Sequence, residues 1–166
     1  MEGDESRPVV TENLTDDWSW EGKVQASIVR HMDTVEGFTI KRAANTATLE
    51  RGPDILAIHR ETGRRRHVEV KGYPLETYAR GVRRGQPKPT RPQTQARHWF
   101  AEALFSIALA KSLYPPDEVA VGFPDYDLYI RLLNRIRWVR ARLGIHAYLV
   151  NRLGEVRSFG PEDEVR

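Results

Sequence analysis

The spacing of apolar positions changes several times along the chain, and each change predicts an element. Trp20, Val24, Ile28 and Met32 step by four. That is one stripe of a helix over residues 18–35, with Asp16, Asp17 or Ser19 available as caps. Glu21 and Gln25 form a neighbouring stripe on the same helix. Gly37 ends it, and Phe38–Ala43 alternates as a strand with Phe38 and Ile40 on one face. Two short runs, Ile55–Ile58 and His67–Val70, flank a turn centred on Thr62-Gly63. They predict a β-hairpin, or two adjacent antiparallel strands. Ala96, Trp99, Phe100, Ala103, Leu104, Ile107 and Ala108 give residues 93–113 a broad apolar helical face, which Pro115-Pro116 terminates. Val119–Phe123 and Ile145–Val150 read as buried strands. A crossover helix over 125–143 joins them, its stripe formed by Leu128, Leu132, Ile136, Val139 and Leu143. The order helix, three strands, helix, strand, helix, strand predicts an α/β fold with a mixed central sheet flanked by helices.

The remainder of the chain lacks such periods. Residues 1–16 are polar and acidic and are expected to form a disordered arm. Residues 17–160 are expected to form a single domain, and 161–166 an acidic tail. Residues 76–92 form a long Gly- and Pro-rich loop carrying Arg80, Arg83, Arg84, Lys88 and Arg91 against one acid, Glu76. A loop of that length in a compact domain usually has a task. Arg97 continues the basic series onto the next helix. These residues are the candidate contacts to a nucleic-acid backbone, with Tyr73 and Tyr78 available for stacking on bases. Arg64, Arg65 and Arg66 follow the hairpin turn, where they either contact phosphate or form a solvated loop end. Arg131, Arg135, Arg137, Arg140 and Arg142 crowd the last helix with no acid among them. Such a helix calls for an acidic neighbour or a bound polyanion.

Composition narrows the chemistry. The 166 residues suit one domain with a proper core. There is no cysteine, so any metal must be held by oxygen or imidazole. No apolar stretch has the length of a membrane span, and a cytoplasmic protein without a membrane partner is expected. Net charge is only +3, but the acids concentrate in the first 17 residues and leave the rest basic.

Chemistry-bearing residues gather on the central hairpin. Asp54 heads its first strand, and Glu69 and Lys71 lie two apart on the second. Alternation sends Glu69 and Lys71 to one face and Val68 and Val70 into the core. Pairing across the turn brings Asp54 toward them. Two carboxylates at one point repel, and a hard cation such as Mg²⁺ relieves the repulsion. An ammonium beside it can orient or deprotonate a water and offset charge at phosphorus. The set suits phosphodiester hydrolysis.

Gly52-Pro53-Asp54, followed by Glu69-Val70-Lys71, resembles the motif of the PD-(D/E)xK nuclease superfamily, whose members include restriction-endonuclease-like enzymes, resolvases and RecB-type domains. The resemblance covers about residues 18–124. It implies a restriction-endonuclease-like core of order α-β-β-β-α-β, here with an extra helix and strand at its C-terminal end. It also implies that Asp54, Glu69 and the Val70 carbonyl hold Mg²⁺, for which Mn²⁺ can substitute. Lys71 would serve the attacking water, and Glu21, from the preceding helix, would complete the site. Gln95-Ala96-Arg97-His98-Trp99 is similar to the Gln-x-x-x-Tyr element of RecB-like members, with Trp in place of Tyr, and gives Gln95 a supporting role. The implied activity is a DNA endonuclease or exonuclease leaving 5′-phosphate and 3′-hydroxyl ends, in repair, restriction or defence, with RNA as a further substrate class. A homodimer would allow duplex cutting, but the chain carries no dimer signature. Two other readings use the same residues: a silent nuclease-like module that only binds nucleic acid, and an α/β domain that binds an anionic molecule at its Arg-rich helix.

Overall fold

The computed structural model describes residues 17–46, 52–78 and 81–166. The arm expected over residues 1–16 lies outside them. Ten elements run in the order α1 (Glu21–Thr34), β1 (Phe38–Ala43), β2 (Ile55–His59), β3 (Arg65–Val70), α2 (Pro92–Leu113), β4 (Glu118–Pro124), α3 (Asp127–Arg135), α4 (Arg137–Leu143), β5 (Ile145–Val150) and β6 (Val156–Phe159). The fold is α/β, with one mixed sheet of six strands in sequential order. Strands β1, β2 and β3 are antiparallel neighbours, β3, β4 and β5 run parallel, and β6 turns back against β5.

Helices cover both faces of the sheet. On one face, Val24, Ile28 and Met32 of α1 are fully buried among Phe38, Ile55, Val68, Val70 and Tyr148. Each such side chain contributes about 1.5–3 kcal/mol. Together they outweigh the roughly 1 kcal/mol that Gly22 costs in the first turn. On the other face, Phe100 and Ile107 of α2 and Tyr129 and Leu133 of α3 close over Val121, Phe123 and Leu149. Val68 and Val70 point to α1, so Glu69, between them, points to the side of α2.

Several expectations need correction. Helix α1 starts at Glu21, and its capping position is Trp20, with no side-chain cap. Asp17 instead accepts hydrogen bonds from the Ser19 amide and hydroxyl just upstream. Strand β3 begins at Arg65, and Arg66 is neither solvated nor free for phosphate. Its guanidinium is buried and donates to Glu118, Glu36 and the Tyr148 hydroxyl. The loop after β3 is a small hairpin-like excursion, bridged between Thr77 and Pro87.

The single helix expected over 125–143 is two. It breaks at Ile136 (φ −101°, ψ 18°). Of the expected stripe, Leu128 is buried and Leu132, Ile136 and Leu143 pack half-buried against the core, while Tyr129 and Leu133, outside that stripe, are the fully buried residues of α3. The Arg-rich helix has a local answer too. Arg140 is fully buried and donates to the backbone carbonyls of Gly160 and Asp163, and Arg137 donates to that of Glu162. Residues 160–166 are thereby folded against α3 and α4, with Val165 buried and paired to the Asn134 side chain. Strand β6 has no counterpart in the expected order. No helix among the described residues is long and apolar enough to cross a membrane.

Candidate active site

The end of β3 meets the start of α1 at Gly72. A methyl group there would stand 2.6 Å from the Ser19 carbonyl oxygen and 2.8 Å from the Glu21 amide nitrogen. Only a glycine lets the two segments approach so closely. The Tyr73 amide donates to the Ser19 carbonyl, and the Tyr129 hydroxyl donates to the Gly72 carbonyl. This junction holds the first turn of α1, and so Glu21, beside the residues that follow β3.

Asp54 is placed from two sides. Its Oδ2 accepts the Val70 amide at 2.6 Å. Its backbone carbonyl accepts from the Ala44 amide and from Nε2 of the buried Gln25. The pairing of Ile55 with Val68 brings Asp54 level with Glu69 on the neighbouring strand. Lys71 reaches back to Glu69, with Nζ 3.0 Å from Oε1, and its amide is tied to the Gly122 carbonyl of β4.

The electrostatics follow from crowding. Burial pushes the Glu21 carboxyl up to about 7, with Asp54 and Glu69 adding to the rise and Lys71 opposing it. Burial also raises Asp54 and Glu69; Asp54 adds to the effect on Glu69, while the Val70 amide and Lys71 restrain that on Asp54. Burial alone would lower Lys71, but Glu69 and then Glu21 outweigh it and hold the amine above its ordinary value. The amine is therefore an ammonium at neutral pH. As the chain stands, it donates hydrogen bonds and charge and does not abstract a proton.

Two neighbours escaped sequence reasoning. Glu102, on α2, adds negative field at Glu21, Asp54, Glu69 and Lys71. It lies seven residues beyond Gln95, two helical turns along the same face, and that spacing could have flagged it. Arg42, on β1, is close enough to lower Asp54. No pattern in the sequence marks it, because a bulge between Ile40 and Arg42 breaks the alternation there.

A cleft of about 770 Å³ opens beside Glu21, lined by Gly72, Tyr73, Tyr78, Lys88, Gln95 and Trp99, among others. Trp99 is a half-buried cleft wall rather than a core residue. Gln95 also faces the cleft, and its buried Oε1 lacks a hydrogen-bond partner. Of the basic candidates, Arg80 lies outside the described residues. Arg83 and Arg84 are exposed on the hairpin-like loop, with Arg83 5.9 Å from the Tyr78 ring centroid. Lys88 borders the cleft, Arg91 is exposed at the start of α2, and Arg97 faces α3 instead, beside Arg131 and Arg135.

The donors on offer here are carboxylates, hard oxygen ligands of the kind Mg²⁺ or Mn²⁺ takes. Among the described residues, no three Asp, Glu or His side chains converge as they stand into a group able to hold an ion. Glu69 is turned toward Lys71. Comparison with family models, with curated proteins and with solved structures finds no match to this chain.

Proposed function

We propose that the protein is a metal-dependent nuclease of restriction-endonuclease-like fold that hydrolyses phosphodiester bonds in DNA. The observation that carries the reading is that Asp54 and Glu69 stand level on paired strands with Lys71 against Glu69, and that Glu21 lies near enough for the charges of all three to act on it, with burial raising all three acids. A fold that only needed stability would neutralise such a group or replace it with apolar side chains. Crowded acids beside an open cleft are a familiar mark of a working site.

Asp54, Glu69 and the Val70 carbonyl would hold the cation, with Glu21 beside them. The cation supplies Lewis-acid polarisation and charge neutralisation at phosphorus. The chain supplies the rest. The Lys71 ammonium orients the attacking water and offsets charge on the pentavalent phosphorus. Glu21, titrating near neutrality, is suited to take the proton that the water gives up. Displacing the 3′ oxygen leaves 5′-phosphate and 3′-hydroxyl ends. Gln95, which lines the cleft, would help position the substrate, and Arg83, Arg84, Lys88 and Arg91 would meet the backbone.

The test is incubation of purified protein with labelled single-stranded, duplex and branched DNA, with Mg²⁺ or Mn²⁺ and with chelator. Cleavage is expected only with metal. Asp54→Asn and Lys71→Met should lower it by about 100-fold or more while leaving binding largely intact. If both variants keep full activity, the assignment is wrong. A second reading, a silent module that only binds nucleic acid, draws support from the Glu69–Lys71 ion pair at 3.0 Å. It predicts steeply salt-dependent binding and no cleavage of any substrate.

A further inference from the structure

A second cleft, of about 730 Å³, shares Tyr73 with the cleft beside Glu21. Its wall is a column of rings. Trp18 stacks on Tyr126 with centroids 5.2 Å apart, and Tyr126 stacks on Tyr73 at 4.0 Å, both within 24° of parallel. Tyr73 then meets the edge of the buried Tyr129. The column is thus braced at its inner end and finishes at Trp18, which is only half-buried. Arg152 stands over the Trp18 ring at 5.7 Å. That is looser than the 4.6 Å at which Arg66 covers Phe38 inside the fold. Arg152 sits in the exposed turn after β5, and Arg131, exposed on α3, lines the same cleft.

The polar lining is mixed. Asp125 is already paired with Arg157 at 2.8 Å. Gln93, Asn151 and the exposed Asp127 are the other polar residues of the lining. A phosphate chain alone would call for cations only. The outer face of Trp18, loosely covered by Arg152, two guanidinium groups, and side-chain amides and a carboxylate together match a nucleobase, with its π-face, its neighbouring phosphate and its edge donors. Position adds to the match. Tyr73 follows Lys71 by two residues, no more than about 7 Å of chain. Trp18 precedes Glu21 by three.

We propose that this ring column, ending in Trp18 beneath Arg152, binds an unpaired base of a single strand next to the scissile linkage, making single-stranded DNA, or a frayed or flapped end, the preferred substrate. The inference rests on the nuclease reading for its link to cleavage, but the base-binding site has its own readout. In a duplex the base faces are covered by their neighbours, so the column has nothing to stack on.

The experiment measures fluorescence anisotropy of a labelled oligodeoxythymidylate of about twelve nucleotides, and of a blunt duplex of the same length, with the full chain in chelator. The single strand is expected to bind at least about tenfold tighter than the duplex. Trp18→Ala and, separately, Arg152→Glu should each weaken single-strand binding by roughly tenfold and leave duplex binding nearly unchanged. Arg152 is a surface residue, so its substitution tests the site even if Trp18→Ala impairs folding. Equal affinity for the two DNA forms, or single-strand binding indifferent to Arg152→Glu, overturns the proposal. Cleavage with Mg²⁺ is scored separately. Loss of the base site with cleavage retained refutes this inference alone, and strand preference without any cleavage refutes the nuclease alone.

Discussion

At the scale of single residues, Glu21 ties the site to the stability of the fold. Its carboxyl titrates at about 7 in the folded chain against an ordinary value of 4.5. The folded state therefore holds that proton more tightly than the unfolded chain does. The resulting stabilisation is complete below about pH 4.5 and is lost as pH rises through about 7. Partial exposure limits the effect to about 1–2 kcal/mol. Glu21→Gln, which mimics the protonated form, should raise the thermal midpoint at about pH 8 and hardly change it near pH 4. An equal shift at both pH values would show that the charge is not the cause. Lys71 has the opposite character: the acids around it keep it charged. Its two faces of chemistry, proton acceptor or fixed cation, were both open from the sequence. Only the neighbours that the fold supplies decide for the cation in the structure as it stands.

At the scale of elements, the junction of β3 with α1 carries the site. The Gly72 hydrogen occupies the space a methyl would need against two backbone atoms, and neither atom can rotate away. Gly72→Ala should push the first turn of α1 off the end of β3, at a cost on the order of 1–3 kcal/mol. Urea unfolding should show the lower midpoint, and any cleavage activity should fall more steeply than stability. A variant with wild-type midpoint and activity would mean that the two segments can part freely.

That junction also explains what was legible beforehand. Strands β1, β4 and β5 were readable because strict alternation or unbroken apolar runs dictate how they pack. The hairpin was readable from its turn. Asp54, Glu69 and Lys71 were locatable because strand alternation and antiparallel pairing place them almost without further information. Arg42 and the Trp18–Tyr126–Tyr73 column were not, since each depends on elements far apart in sequence meeting in space; Glu102 could have been found only by following the face of Gln95 two turns along α2. The break at Ile136 and the short β6 were hidden for another reason. An apolar stripe that continues past Ile136 conceals the break there, and Val156–Phe159 is too short and too exposed to stand out.

At the scale of the whole molecule, the sheet separates two polar regions. The site lies where β3 and β4 end, and the Arg66 cluster lies toward their opposite ends. Arg66 bridges Glu118 of β4, Glu36 after α1 and Tyr148 of β5. Nearby His146 is held down to about 4, first by burial and then by the Arg66 charge, which keeps it neutral. Arg66→Met should strand two partly buried carboxylates and cost about 2–4 kcal/mol. Replacing Glu36 and Glu118 by Gln in the same chain should recover part of that loss. A histidine titration followed by NMR should show His146 moving upward in Arg66→Met. A His146 that titrates unchanged would mean that burial alone governs it.

Arg140 anchors the last stretch of the chain in a different way. The acceptors it reaches are peptide oxygens, which neither gain a proton in acid nor acquire counterions in brine. The Arg66 assembly depends on carboxylates and should loosen when they are neutralised. The closing segment keeps its peptide-oxygen contacts and loses in acid or strong salt the smaller share that the Asp163 carboxylate adds at Arg140 and at the Gly160 amide, so that one end of this fold answers its solution more sharply than the other.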